Sequence, residues 1–170
     1  MSRRATLWVS SVTGNTAKIA EGVRATLDEL GWLVSDAQPG VEPADEVVVV
    51  CFWCRKSSLD PKSKAFVELC AGKKMLLLGT FGGFPSGKYA QLVRDNVAQE
   101  VSQRNDCLGV FLCQGKVRAK RIEERRALPE DSPHHLDEWG VVRLVEGQKH
   151  PDDTDVLYAQ GFVRDYLPIP

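Results

Sequence analysis

Ser10, Ser11, Thr13, Asn15 and Thr16 bring five short hydrogen-bonding side chains into seven residues, with Gly14 among them. That grouping suits the capture of an anion. An apolar run (Leu7 to Val9) precedes it, and a helical pattern with apolar residues at Ile19, Ala20, Val23, Leu27 and Leu30 follows. A strand, a tight loop and a helix N-terminus aim free backbone N–H groups and the positive end of a helix dipole at one spot. Gly14 lets the backbone approach closely. The loop holds no Lys or Arg, so the expected phosphate is bound by neutral donors and a dipole. An ordinary N-cap needs only one such donor.

Three other groupings carry weaker chemistry. Gly82 to Lys88 fits the first seven positions of a phosphate-binding P-loop, but Tyr89 stands where Mg²⁺ needs Ser or Thr. Cys51-Phe-Trp-Cys54 has dithiol spacing; Cys51, however, lies inside an apolar strand pattern rather than at a helix start, which reads as a buried small hydrophobe. Cys51, Cys54, His134, His135 and His150 include no second paired cysteine motif, which argues against structural zinc. Cys70, Cys107 and Cys113 read as structural.

The elements that must position these residues alternate between strand and helix. Strands are expected at Ala5–Ser10, Trp32–Ser35, Val47–Trp53, Lys74–Leu78 and Leu108–Cys113. Helices are expected at Asn15–Leu30, Lys62–Cys70, Tyr89–Val101 and Thr154–Tyr166. Five βα repeats argue a doubly wound parallel sheet with helices on both faces, and such sheets bind ligands at the carboxyl ends of their strands. Residues 116–151 interrupt this rhythm where a short connection is expected. Arg118 to Arg126 is a charged, helical stretch: either a solvated helix paired within itself, Lys120 with Glu123 or Glu124 and Arg121 with Glu124, or a face for an acidic partner. Pro129, Pro133, His134, His135 and Gly140 mark the remainder as irregular.

At 170 residues the chain suits one domain, 1–170, with 116–151 as an insertion. A net charge of −1 leaves no nucleic-acid footprint, and no apolar run approaches a membrane span. The N-terminus leads into the first strand without a signal-peptide pattern, and five cysteines without secretory features imply reduced thiols and a cytoplasmic location.

With strand, Ser11-Val-Thr-Gly-Asn-Thr16, helix and five βα repeats in place, the chain resembles the flavodoxin family. The resemblance implies a five-stranded parallel sheet of order 2-1-3-4-5 and one non-covalent flavin mononucleotide (FMN). Its phosphate would lie on the loop Ser10, Ser11, Val12, Thr13, Gly14, Asn15 and Thr16. It also implies two loops around the flavin ring: Phe52, Trp53 and Cys54 after the third strand, and Thr80, Phe81, Gly82, Gly83 and Phe84 after the fourth. Trp53 is the expected stacking partner, with Phe81 or Phe84 on the other side. Phe-Trp after strand three, Gly-Thr-x-Gly-x-x-Pro after strand four, Cys113-Gln-Gly-Lys116 and His150-Pro-Asp152 further resemble a bacterial subgroup that includes the flavodoxin-like partner of bilirubin reductase.

The chain departs from the family pattern in being near neutral rather than acidic. Its third-strand loop also lacks the glycine whose peptide flips toward half-reduced flavin; Cys54, Arg55, Lys56 and Ser57 stand there. Non-glycine residues resist φ > 0, and Arg55 and Lys56 favour an anionic reduced flavin. Both effects point to higher potentials or two-electron behaviour. The leading expectation is electron transfer between a reductase and a partner enzyme. The alternative is an NAD(P)H oxidoreductase acting through FMN on a quinone-like acceptor, and a third reading is an interaction module without cofactor.

Overall fold

The computed structural model describes residues 3–167. β1 (Arg4–Val9), β2 (Leu33–Asp36), β3 (Val47–Arg55), β5 (Lys74–Phe81) and β6 (Asp106–Gln114) form a parallel sheet in the order β2-β1-β3-β5-β6. β4 (Ser58–Leu59) adds an antiparallel edge to the end of β3. Counting only the parallel strands, this is the expected order 2-1-3-4-5.

Strand alternation divides the core between the two faces. Val49, Cys51, Leu76 and Leu78 face α1 (Asn15–Glu29) and α6 (Asp153–Tyr166), meeting Ile19, Val23 and Leu27 from the first and Ala159 and Val163 from the second. Val48, Val50, Phe52, Met75 and Leu77 face α2 (Pro61–Leu69) and α3 (Lys88–Ser102), meeting Phe66, Val67, Val93 and Val97. The central strands are therefore buried on both sides, which accounts for their near-continuous apolar sequence. α1 and α6 pack closely because Gly22 has no Cβ: one would fall 2.5 Å from Val156 Cγ1.

Most element ends fall within two residues of the sequence reading, and three features depart further. β5 continues past Leu78 to Phe81, because Gly79 lies in the sheet under the Phe52 ring, where a Cβ would be 2.4 Å from Phe52 Cζ. β3 turns back into β4 through Lys56 (φ 48°) and Ser57 (φ 62°), a two-residue hairpin with both central residues left-handed. The supposedly irregular end of the 116–151 segment contains α5 (Glu138–Gly147), whose Asp137 N-cap accepts from Gly140 N. Arg118–Arg126 is helical, as its pattern suggests, with α4 spanning Ala119–Arg126. Ile122, Leu136 and Leu144 pack with Val117 and Val141 into a small core of their own.

Candidate functional site

β1, β3 and β5 all end at one edge of the sheet, where a cavity of about 410 Å³ opens. Ser11, Val12, Thr13, Asn15 and Thr16 line it from the loop after β1; Trp53 and Cys54 line it from β3, and Thr80, Phe81 and Gly82 from the end of β5. Ten of the fifteen expected site residues, from three separate loops, therefore share one cavity; Ser10, Gly14, Phe52, Gly83 and Phe84 are not in its lining.

The hydroxyls of the first loop have unequal roles. Gly14 is the α1 N-cap in the left-handed conformation (φ 93°) and has no side chain to cap the helix, so the Asn15 and Thr16 amides remain available to a ligand. Ser11 Oγ already accepts from Ala17 N at 3.2 Å. Ser10 is buried and donates to Asp60 Oδ1 at 2.9 Å, away from the cavity. Thr16, only 1% exposed, is hydrogen-bonded to Phe52 O at 3.2 Å and Thr80 Oγ1 at 2.9 Å. Asn15 Nδ2 donates to the Lys116 carbonyl at 3.0 Å. Thr13 is the one loop hydroxyl outside any such bond among the described residues. Residue types alone do not reveal this division, because it depends on which way each hydroxyl points.

The aromatic walls also sort themselves. Trp53 is half-buried and lines the cavity, whereas the Phe52 side chain is fully buried in the opposite core and offers the site only its carbonyl. Phe81 lines the cavity and stacks on Tyr89, with centroids 6.2 Å apart. Phe84 lies outside the lining and meets Trp139 of α5 at 6.0 Å. Gly83 also lies outside it; its missing Cβ makes room for the Phe81 ring, 2.5 Å from where that atom would sit.

Asp60 joins these parts. The carboxylate is 0% exposed and caps α2 through Lys62 N and Ser63 N, both at 3.1 Å. It also accepts from Ser10 Oγ, from Ser63 Oγ at 2.7 Å and from Trp53 N at 3.3 Å. One buried anion thus ties the entry to the first loop, the backbone of the aromatic wall and a helix start. Sequence reading passed over it, although Asp-Pro at a helix start is an N-cap signal.

Among the described residues, all five cysteines are free thiols. Cys51 and Cys54 face opposite sides of the sheet. Burial pushes the Cys51 thiol up to about 12 and raises Cys54 as well, so both favour the protonated form. His150, Asp152 and Asp155 place potential metal-ligand atoms within 4.8 Å of one another. Their contacts belong to the α6 capping box: Asp155 N donates to Asp152 Oδ1, while Asp155 Oδ2 accepts from Asp152 N and His150 Nδ1.

Residues 115–121 were absent from the expected site. Gly115, Lys116, Val117, Arg118 and Arg121 form a cavity wall. Gly115 approaches the first loop so closely that a Cβ would sit 2.7 Å from Asn15 Nδ2. Gln114, buried at the end of β6, donates to Arg143 O at 2.9 Å and joins α5 to the sheet. An odd-length connection flanked by Lys and Arg was the available signal.

A doubly wound parallel α/β sheet in this strand order, with a hydroxyl-rich loop after its first strand, is the flavodoxin-like architecture. The chain belongs to the flavodoxin-domain family, whose model matches residues 6–164. It is similar to the flavodoxin-like domain-containing protein BilS of Clostridioides difficile (strain CD3), with 28% identity over 169 residues covering 93% of each chain. A flavodoxin from the domain Archaea shares the fold at a TM-score of 0.52, with 13% identity over 96% of this chain and 95% of that one. Oxidised flavodoxin 2 from Bacillus cereus does so at 0.51, with 14% identity over 96% and 99%. Among the described residues, no helix is long and apolar enough to cross a membrane.

Proposed function

We propose that the chain binds one FMN without a covalent bond and passes electrons between a reductase and a partner enzyme. The observation that carries this reading is the shared cavity: Thr13, with Asn15 and Thr16 at the start of α1, lines it together with Trp53 and Phe81. The donor set suits a phosphate, since it offers N–H and O–H groups around a glycine turn without a carboxylate. The aromatic walls suit a flat ring. When bound, FMN would supply the redox chemistry; the chain's residues hold, orient and shield it.

Flavin titration of the apo chain is the direct test. FMN fluorescence quenched to a one-to-one endpoint, with a shifted flavin spectrum, is the expected result; no binding would remove the reading in favour of an interaction module. Reduction by NAD(P)H should need an added reductase, and bilirubin reductase, tied to the subgroup the chain resembles, is the first acceptor to assay.

One observation favours the enzyme reading as a second possibility. The hairpin after β3 is held at Ser57 by two bonds, Asn96 Nδ2 donating to Ser57 O at 2.9 Å and Ser57 Oγ to the Tyr89 hydroxyl at 3.2 Å. A pinned turn without glycine opposes the peptide flip that serves one-electron chemistry. NAD(P)H oxidation by the loaded chain alone would establish this second reading.

A further inference from the structure

The cavity carries positive charge that the loop after β1 does not explain. Lys116, Arg118 and Arg121 all line it, and no ion pair to any of their side chains is found among the described residues. The carboxylates of α4 are engaged elsewhere, Glu124 with Lys120 at 4.0 Å and Glu123 with Arg126 at 3.9 Å. More positive charge stands close behind. Burial, then Arg143 and Arg121, hold the Arg125 guanidinium below its ordinary pKa. Like charges gathered without counter-charges repel one another, and an anion in their midst relieves that repulsion. α4 also starts at Arg118 without a side-chain cap, so a second set of first-turn amides accompanies these cations.

The position of this wall indicates which anion it meets. The Lys116 carbonyl is hydrogen-bonded to Asn15 of the first loop, and Gly115 packs against the same side chain. The cationic wall is therefore fastened to the end of the cavity that holds the α1 amides. The aromatic walls at Trp53 and Phe81 present apolar surface. Oxidised flavin is neutral in its ring, whereas its phosphate is the doubly charged group.

We propose that Lys116, Arg118 and Arg121 are the cationic half of a two-sided clamp for a phosphate dianion, facing the neutral half at 11–16, and that this clamp selects FMN over riboflavin. The selection rests on the FMN reading above; the clamp itself is testable without it. A loop with few uncommitted hydroxyls thus gains charge from a segment more than a hundred positions away in sequence.

The experiment compares the unmodified chain with Lys116→Gln/Arg118→Gln/Arg121→Gln, titrating each apo-protein with FMN and with riboflavin at low and high salt. FMN affinity should fall at least about tenfold in the triple variant at low salt, after allowance for the exposure of these side chains. Riboflavin affinity should change less than about twofold, and the salt dependence of FMN binding should flatten. Lys120→Gln/Arg126→Gln removes charge from the same helix outside the cavity and should leave both affinities in place. Equal losses for the two flavins, or no loss for FMN, would overturn the proposal. Inorganic phosphate serves as a probe independent of flavin. It should raise the melting temperature of the unmodified chain more than that of the triple variant, even if no flavin binds; equal response overturns the clamp.

Discussion

Replacing Asp60 by asparagine leaves one carbonyl oxygen and puts an amide NH₂ where the second carboxylate oxygen stood. If the oxygen keeps the Oδ1 position, Ser10 Oγ, Lys62 N and Ser63 N retain their acceptor, and asparagine remains a good N-cap. Trp53 N then faces a donor and loses its partner, while Ser63 Oγ must reverse its role. One stranded amide and one weakened bond at a fully buried site cost about 2–3 kcal/mol together. Asp60→Ala strands all five donors and should cost about 4 kcal/mol or more, since the lost desolvation of the carboxylate offsets only part of the loss. At this chain length Asp60→Asn corresponds to a fall in melting temperature of roughly 5–10 °C. Chemical denaturation monitored by tryptophan fluorescence gives the free energies, and flavin titration of Asp60→Asn adds a functional readout. FMN affinity should drop because Trp53's backbone is released from the side chain that still holds the entry to the first loop. An Asp60→Ala variant within about 1 kcal/mol of the unmodified chain would refute the reasoning, because such a result means these bonds are replaced by water at no cost.

Thr13→Ala should weaken FMN binding by about tenfold with little change in stability, whereas Thr16→Val should cost about 1–3 kcal/mol of stability, because its hydroxyl bonds inward to Phe52 O and Thr80; titration and denaturation together separate the two roles. Gly79→Ala should destabilise by about 1–3 kcal/mol through overlap with Phe52, and Phe52→Leu in the same chain should recover part of that loss, as a double-mutant cycle would show. His150, whose hydrogen bond to Asp155 raises its pKa, should stabilise the fold fully below its ordinary 6.5 and lose that contribution as pH rises through the higher folded value. The stability difference between the unmodified chain and His150→Gln should therefore shrink from pH 5.5 to pH 8.5, measured by denaturant titration.

The parallel sheet was legible because its strands are buried on both faces and each helix carries an apolar stripe at helical spacing. What escaped has local causes. β4 is two residues long and its turn is Lys-Ser, without the Asn-Gly signal of a hairpin with two left-handed residues. α5 lies between Pro133 and a cis His150–Pro151 bond in a polar segment, and its apolar residues serve a small separate core rather than the sheet. In the site, Ser10, Thr13 and Thr16 look equivalent as letters. Their roles diverge because Asp60, from a distant part of the sequence, draws Ser10 inward, and Thr80 does the same to Thr16. Arg118 and Arg121 read as part of a charged helix, either solvated or facing an acidic partner, until the chain's path brings them and Lys116 to the cavity wall fastened to Asn15.

The Gln114 contact bears on how a ligand gets in. Its buried amide reaches Arg143 O, and Arg143 Nη1 in turn donates to Gly82 O at 2.9 Å, while Gln148 Nε2 donates to Val117 O at 2.8 Å. A Cβ at Gly147 would sit 3.0 Å from Gln114 Nε2, so α5 rests directly on that side chain. The wall is therefore riveted at several points and is not a hinged flap. Passage behind it would require these bonds to break together, a cooperative opening. In native-state hydrogen exchange, the α5 amides bonded within the helix should then open as one unit with the end of β6, at a rate that a bound ligand slows without changing which amides move together.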